Sequence, residues 1–160
     1  MIRERLLELG LVLPQAATPR FAYVPVVVDG GVAYVSGQLP WVSAGALFAT
    51  GKVGEGVDVE TAQEAARLCV LQGLAALEAA VGDLVRVRRV LKVTGFVASA
   101  PAFTGQPGVI DAASKLLIDL FGDAGRHARS AVGVAVLPRD VPVEIEFVFA
   151  VDPGRDGVSA

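Results

Sequence analysis

Between Asp58 and Gly82 the chain runs without a proline and repeats small side chains, Ala62, Ala65, Ala66, Cys69, Gly73, Ala76 and Ala80, at helical spacing. A stripe this slim lets a helix axis lie close on a sheet. Asp58 supplies an N-cap and Gly82 a stop, so the spacing predicts a long helix over Val59–Val81. The rest of the chain supplies the sheet. Val24–Val28 and Val32–Gln38 are β-rich runs separated by Asp29-Gly30-Gly31, residues that tolerate the positive φ of a tight hairpin. Arg86–Ala98, Ala128–Leu137 and Val141–Val151 read as three more strands, the last two joined through the turn-forming Pro138-Arg139-Asp140. Pro107–Phe121 places Ile110, Ala113, Leu117, Leu120 and Phe121 on one helical face before Gly122. The opening MIRERLLEL predicts a short amphipathic helix stopped by Gly10, and Ala44–Gly56 a glycine-rich loop. The order is ββαβαββ after an N-terminal helix. It predicts an α+β domain with both main helices on one face of a mixed sheet. The expected divisions are 1–20 for the N-terminal helix and linker, 21–152 for one domain and 153–160 for a flexible tail.

At 160 residues and 53% hydrophobic, such a domain buries a core without disulfide or metal staples. The net charge of −3 argues against phosphate-backbone binding, which rests on clustered Lys and Arg. Arg86, Arg88 and Arg89 form the one dense basic run, read as the solvated face of a strand. A single cysteine, Cys69, excludes an intrachain disulfide, and its place in the small-residue stripe makes it core. No apolar run approaches the roughly 20 residues that span a bilayer. Charges interrupt the opening segment where a secretory signal has an unbroken apolar core, so a cytoplasmic location is expected.

Alternation in the last two strands divides the sheet into unlike faces. Val143, Ile145, Phe147 and Phe149 share one side of the final strand, and Glu144, Glu146, Val148 and Ala150 the other. In the strand before it, Ser130, Val132, Val134 and Val136 alternate with Arg129, Ala131, Gly133 and Ala135. Placing the bulky side of each under the helices leaves a face of small residues with isolated charges, among them Arg129 and Glu144. A second copy of the chain is the expected cover. The competing account is that Gly133 and the alanines only relieve crowding in a twisted sheet.

Conventional catalytic patterns are absent: no CxxC, HExxH, GxSxG or GxxxxGK[ST] occurs. His127, the one histidine, cannot build a multi-histidine metal site, and it reads as a solvated loop residue. Asp and Glu are scattered, without the ligand spacing of a Mg²⁺ or Ca²⁺ loop. No metal site is expected.

Two segments carry a resemblance. Tyr34-Val35-Ser36-Gly37-Gln38-Leu39-Pro40 is similar to the SGQ segment of the Rid (YjgF-like) family. Ala128-Arg129-Ser130-Ala131-Val132, followed by Leu137-Pro138 and Val143-Glu144-Ile145-Glu146, resembles its C-terminal signature. With the order of elements, the likeness runs from about Tyr23 to Val151. It implies the chorismate-mutase-like fold, a homotrimer with clefts between subunits, and cofactor-free hydrolysis of 2-imino or enamine acids to 2-keto acids and ammonia. Carried over position by position, it gives Arg129 as the grip on the substrate carboxylate and Glu144 as the acid beside the attacking water. Tyr23 becomes a cleft tyrosine, Ser36 and Gly37 the strand bend. A planar guanidinium suits a bidentate carboxylate, and an already electrophilic imine carbon needs little beyond an oriented water.

The pocket wall departs from the archetype. Ala131 and Gly133 stand where it has a cysteine and a glutamate, and Asp111 where it has an asparagine. Asp111 either rejects anions, binds an amino group, or is a first-turn carboxylate favoured by the helix dipole. Arg129 has the alternative of a salt link between subunits to Glu144 or Glu146. Two other functions compete with the deaminase: a non-catalytic trimeric binder of a small carboxylated metabolite, and an endoribonuclease, which an acidic chain with one histidine suits badly.

Overall fold

The protein is described here by a computed structural model covering residues 2–18, 21–43 and 45–152. The expected flexible tail, 153–160, lies outside the described residues. Helix α1 spans Ile2–Glu8. Strands β1 (Val26–Asp29) and β2 (Val32–Gln38) form the hairpin, which turns through Gly30 and Gly31 at φ 54° and 76°. The expected loop contains strand pairing instead: β3 (Trp41–Ser43) with β4 (Ala46–Leu47), and β5 (Lys52–Val53) with β6 (Gly56–Val57). Helix α2 (Val59–Val81) follows, β7 is Val87–Ala98, α3 Gln106–Phe121, β8 Ala128–Val134 and β9 Val143–Val151. The α+β order is thus as expected. Strand β8 stops at Val134 because its partner β7 ends opposite, at Ala98.

Each end of α2 has the expected cause. The Asp58 carboxylate accepts from the Thr61 amide at 2.7 Å, and Gly82, at φ 88°, closes onto the Glu78 carbonyl. Helices α2 and α3 pack side by side on one face of a five-stranded sheet, order β1-β2-β9-β7-β8, antiparallel except for β7 with β8. Phe147 and Phe149 lie beneath them, fully buried, with ring centroids 5.9 Å apart. The small-residue stripe makes room for these rings: a Cβ on Gly73 would stand 2.7 Å from Phe147 Cε2. Cys69 is buried with its Sγ 3.7 Å from the Val143 carbonyl, and burial pushes its thiol pKa well up. Helix α1 lies over the helical layer through buried Leu6 and a 2.7 Å ion pair from Arg3 to Glu78.

The faces of β9 are as the alternation predicted, but those of β8 are reversed. Arg129, Ala131 and Gly133 are in register with Val93, Gly95 and Val97 of β7, the side that faces α3. Ser130, Val132 and Val134 face away from the helices. The reason is proximity: a Cβ on Gly95 would collide with Ile110 of α3, and one on Gly133 would stand 2.6 Å from the Gln106 amide. Small residues thus stand at these two close approaches to α3, and the valines of β8 face outward.

In the basic run Arg88 and Arg89 are exposed on β7 as expected, and Arg86 departs from the expectation. Arg86 belongs to a short 3-10 turn before β7, and its guanidinium donates to the carbonyls of Val81 and Asp152. Arg88 pairs with Asp152, and Arg89 donates to the Arg126 carbonyl.

Candidate functional site

The residues singled out by sequence assemble into two groups, not one. Because Arg129 faces α3 and Glu144 faces the open side of the sheet, the two do not share a face within one chain. Glu144 pairs with Phe96, and Phe96 with Val132, so Glu144 lies two strands from β8 and three residues along from Arg129.

The first group is built on α3, β8 and the turn between them. Arg129 projects toward the helix and keeps 27% of its side chain exposed. Its Nη1 donates to the Ser114 hydroxyl at 3.1 Å and reaches Asp111 Oδ1 at 3.4 Å. All of its hydrogen bonds among the described residues leave from Nη1, so the Nε and Nη2 edge is without a protein partner. Asp111 stands in the second turn of α3, not the first, and binds Lys115 at 2.9 Å. The hydrogen bond from Lys115, more than Arg129, holds its carboxyl below the usual range. Asp111 is therefore an ion-pair partner and not a dipole-favoured first-turn carboxylate.

His127 is half-buried in this group and not a solvated loop residue. Its Nδ1 lies 2.6 Å from the Gly125 carbonyl and its Nε2 3.0 Å from the Ser114 hydroxyl. A carbonyl can only accept, so Nδ1 carries the proton and Nε2 the lone pair, which the Ser114 hydroxyl fills by donating. Burial, and then the Arg129 charge, lower the imidazole pKa below its ordinary value, against the pull of the Gly125 carbonyl. Gly125 is obliged by backbone packing: a Cβ there would collide with the Leu117 carbonyl. Ser114, at 8% exposure, was not singled out by sequence. The available signal was its position three residues after Asp111, on the same helical face.

The second group lies toward the β1 and β2 edge. Ser36 donates its hydroxyl to the Val24 carbonyl at 3.0 Å and its amide to Pro25, pinning the segment that carries half-exposed Tyr23. Gly37 packs so closely on Glu144 that a Cβ would collide with its carboxylate. Desolvation, and secondarily Glu146, raise the Glu144 pKa. The sign of the linkage follows: Glu144 is at ease below its unfolded value of about 4.5 and loses stability as pH rises through its folded value. Glu144→Gln is expected to match the wild type in urea unfolding at pH 4 and to be the more stable protein at pH 7. Equal midpoints at both pH values would show that this carboxylate is not strained.

The open face between the two groups is more apolar than expected, with Val27, Tyr34 and Val132 each about half exposed. Among the described residues, no three His, Cys, Asp or Glu side chains gather as a metal site, and no helix is long and apolar enough to cross a membrane.

Comparison with known proteins agrees with this architecture. Residues 3–151 match the family described as "YjgF/chorismate mutase-like, putative endoribonuclease". The chain is 46% identical over 146 residues to Protein TCP17 of Trypanosoma cruzi, covering 91% of each. The crystal structure of Atu1372 from Agrobacterium tumefaciens, a protein of unknown function, superposes with a TM-score of 0.87 at 49% identity, covering 94% of this chain and 92% of that one. The TdcF structure from E. coli, solved with bound serine, aligns at TM-score 0.59 and 30% identity over 88% of this chain and 94% of its own. A match over nearly the whole chain, on a sheet of the same kind, means that the protein belongs to the YjgF/chorismate mutase-like family.

Proposed function

We propose that the protein hydrolyses reactive 2-imino or enamine acids to 2-keto acids and ammonia without a cofactor, as a homotrimer with its sites in the clefts between subunits. One observation carries this: a partly buried arginine has one edge held by the protein and the other free for a carboxylate. A guanidinium held in this way makes a bidentate, charge-assisted pair and fixes the imine carbon in one place. The trimer answers a geometric need. Arg129 and Glu144 occupy opposite faces, on the edge strand β8 and the central strand β9, so a site using both takes Arg129 from one copy and Glu144, with Tyr23 and the Ser36-Gly37 bend, from the next. The half-exposed Val27, Tyr34 and Val132 supply an apolar face for that contact. Glu144, its pKa raised, is suited to orient the attacking water and take up its proton.

A coupled assay tests the proposal. An amino-acid oxidase generates 2-imino acids of graded side-chain size, and loss of imine is followed with and without the protein. Acceleration for at least one imine is the expected result; uncatalysed rates throughout would leave carboxylate binding without turnover. That second function is favoured by the completeness of the Arg129 group within one chain. An endoribonuclease is disfavoured, because the one histidine has both ring nitrogens engaged and Arg86, Arg88 and Arg89 are tied to the protein's own oxygens.

Asp111 tunes the anchor. Its carboxylate sits on the held Nη1 edge and opposes a substrate carboxylate on the free edge as a like charge, at an exposed pair worth about 0.2–1 kcal/mol. Asp111→Asn is expected to lower KM by roughly two- to fivefold with kcat little changed; a raised KM would mean that its hold on Arg129 outweighs that repulsion.

A further inference from the structure

We propose that Ser114 and His127 are positioning residues for Arg129: through the Ser114 hydroxyl, the imidazole fixes the Nη1 edge of the guanidinium so that its other edge stays presented to a carboxylate. The inference rests on Arg129 being the carboxylate anchor.

The hydrogen bonds run in one direction. Arg129 Nη1 donates to Ser114 Oγ, Ser114 donates to His127 Nε2, and His127 Nδ1 donates to the Gly125 carbonyl, over 3.1, 3.0 and 2.6 Å. Only the last acceptor is fixed by the backbone. It sets the tautomer, the tautomer sets the hydroxyl rotor, and the rotor turns the serine lone pairs toward Arg129. A serine alone leaves its hydroxyl free to rotate, and a long arginine held only by the exposed Asp111 keeps most of its rotamer freedom.

Proton uptake by His127 reverses the middle link. With Nε2 protonated, the imidazolium must donate to Ser114, whose hydroxyl hydrogen then has to leave that direction. Two cations would then face one oxygen. The charges around the imidazole do not offset this. Arg129 comes from β8, and Asp111 on α3 is already bound to Lys115. In the turn Asp123 pairs with Arg126, and β7 contributes Arg89, which donates to the Arg126 carbonyl. Among the described residues, the carboxylates near the imidazole, Asp111 and Asp123, are already paired, so protonation loosens Arg129 and weakens its hold on a carboxylate as pH falls.

The test uses the full chain and 2-oxobutanoate as the carboxylate probe. Its dissociation constant is measured at pH 7.5 and 5.5 for wild type, Ser114→Ala, Ser114→Thr, His127→Gln and Arg129→Ala. Since His127 is the one histidine, long-range ¹H–¹⁵N spectra report its tautomer and titration directly. The expected result has four parts: an Nδ1–H tautomer at pH 7.5, binding that weakens in the wild type as the spectra show His127 taking up its second proton, binding weakened about five- to tenfold at pH 7.5 by Ser114→Ala, and recovery in Ser114→Thr. Ser114→Ala and His127→Gln should also lose the pH dependence, which a merely structural serine would not affect. If Arg129→Ala loses binding while Ser114→Ala and His127→Gln bind like the wild type at both pH values, the positioning role is overturned and the anchor stands. If Arg129→Ala itself binds like the wild type, anchor and positioning role fall together. Binding that follows the expected pattern without imine turnover would leave the positioning role intact and count against the hydrolase alone.

Discussion

Arg129→Ala is expected to lower kcat/KM for 2-imino acids by roughly 10²- to 10⁴-fold while leaving the unfolding midpoint almost unchanged. Two hydrogen bonds from a charged donor to a carboxylate contribute about 1.5–3 kcal/mol each, and both go with the guanidinium. Stability holds because nothing is stranded: Asp111 keeps Lys115, and Ser114 keeps His127. A partly exposed arginine whose partners remain paired costs less than about 1 kcal/mol. Arg129→Lys should recover little of the activity, since an ammonium is a point charge and cannot reproduce a two-pronged grip. Imine-loss kinetics read beside urea unfolding check both halves. A large fall in the midpoint would mean that Arg129 serves the contact between β8 and α3, and activity close to wild type would remove it from the site.

How far the sequence carried depended on whether the decisive contact was local. The bounds of β2 and α2 were legible because each is set by neighbours in the chain: the Asp29-Gly30-Gly31 turn, the Asp58 cap and the Gly82 stop. The faces of β9 were legible because Phe147 and Phe149 can only be core. The faces of β8 were not. Bulk ordinarily marks the buried side of a strand, but here α3 comes close enough for Ile110 to press on Gly95 and Gln106 to lie over Gly133, and the valines of β8 face outward. That reversal carries Arg129 to the helical side while Glu144 keeps the open one, so the expected pair became two groups on opposite faces of the sheet. Ser114 and His127 escaped for a related reason. Nothing in their spacing along the chain shows that a serine on α3 meets a histidine before β8; the packing of the turn at Gly125 against Leu117 brings them together. The family signature named residues one at a time along the chain, and the tertiary structure decided which of them stand together.

Phe147→Ala is expected to destabilise the fold by about 3–5 kcal/mol, because a ring with 1% exposure leaves a cavity that its neighbours fill poorly. For a domain of this size that corresponds to a fall in Tm of roughly 6–20 °C. The loss reaches beyond one side chain: Phe147 stacks on Phe149, whose ring is 6.4 Å from Phe121 at the end of α3, so the contact between the sheet and the end of that helix weakens too. Gly73 makes the prediction sharper. In the wild type a methyl at 73 would press on Phe147 at 2.7 Å, so Gly73→Ala should destabilise despite the gain in helix propensity of about 1 kcal/mol. In the Phe147→Ala background the same methyl enters vacated space and should stabilise. The sign of one substitution thus reverses with the identity of its neighbour, a coupling of more than about 1 kcal/mol in a double-mutant cycle. Additive effects would mean that the ring does not set the approach of α2 to the sheet, and that the small-residue stripe of this helix has another cause.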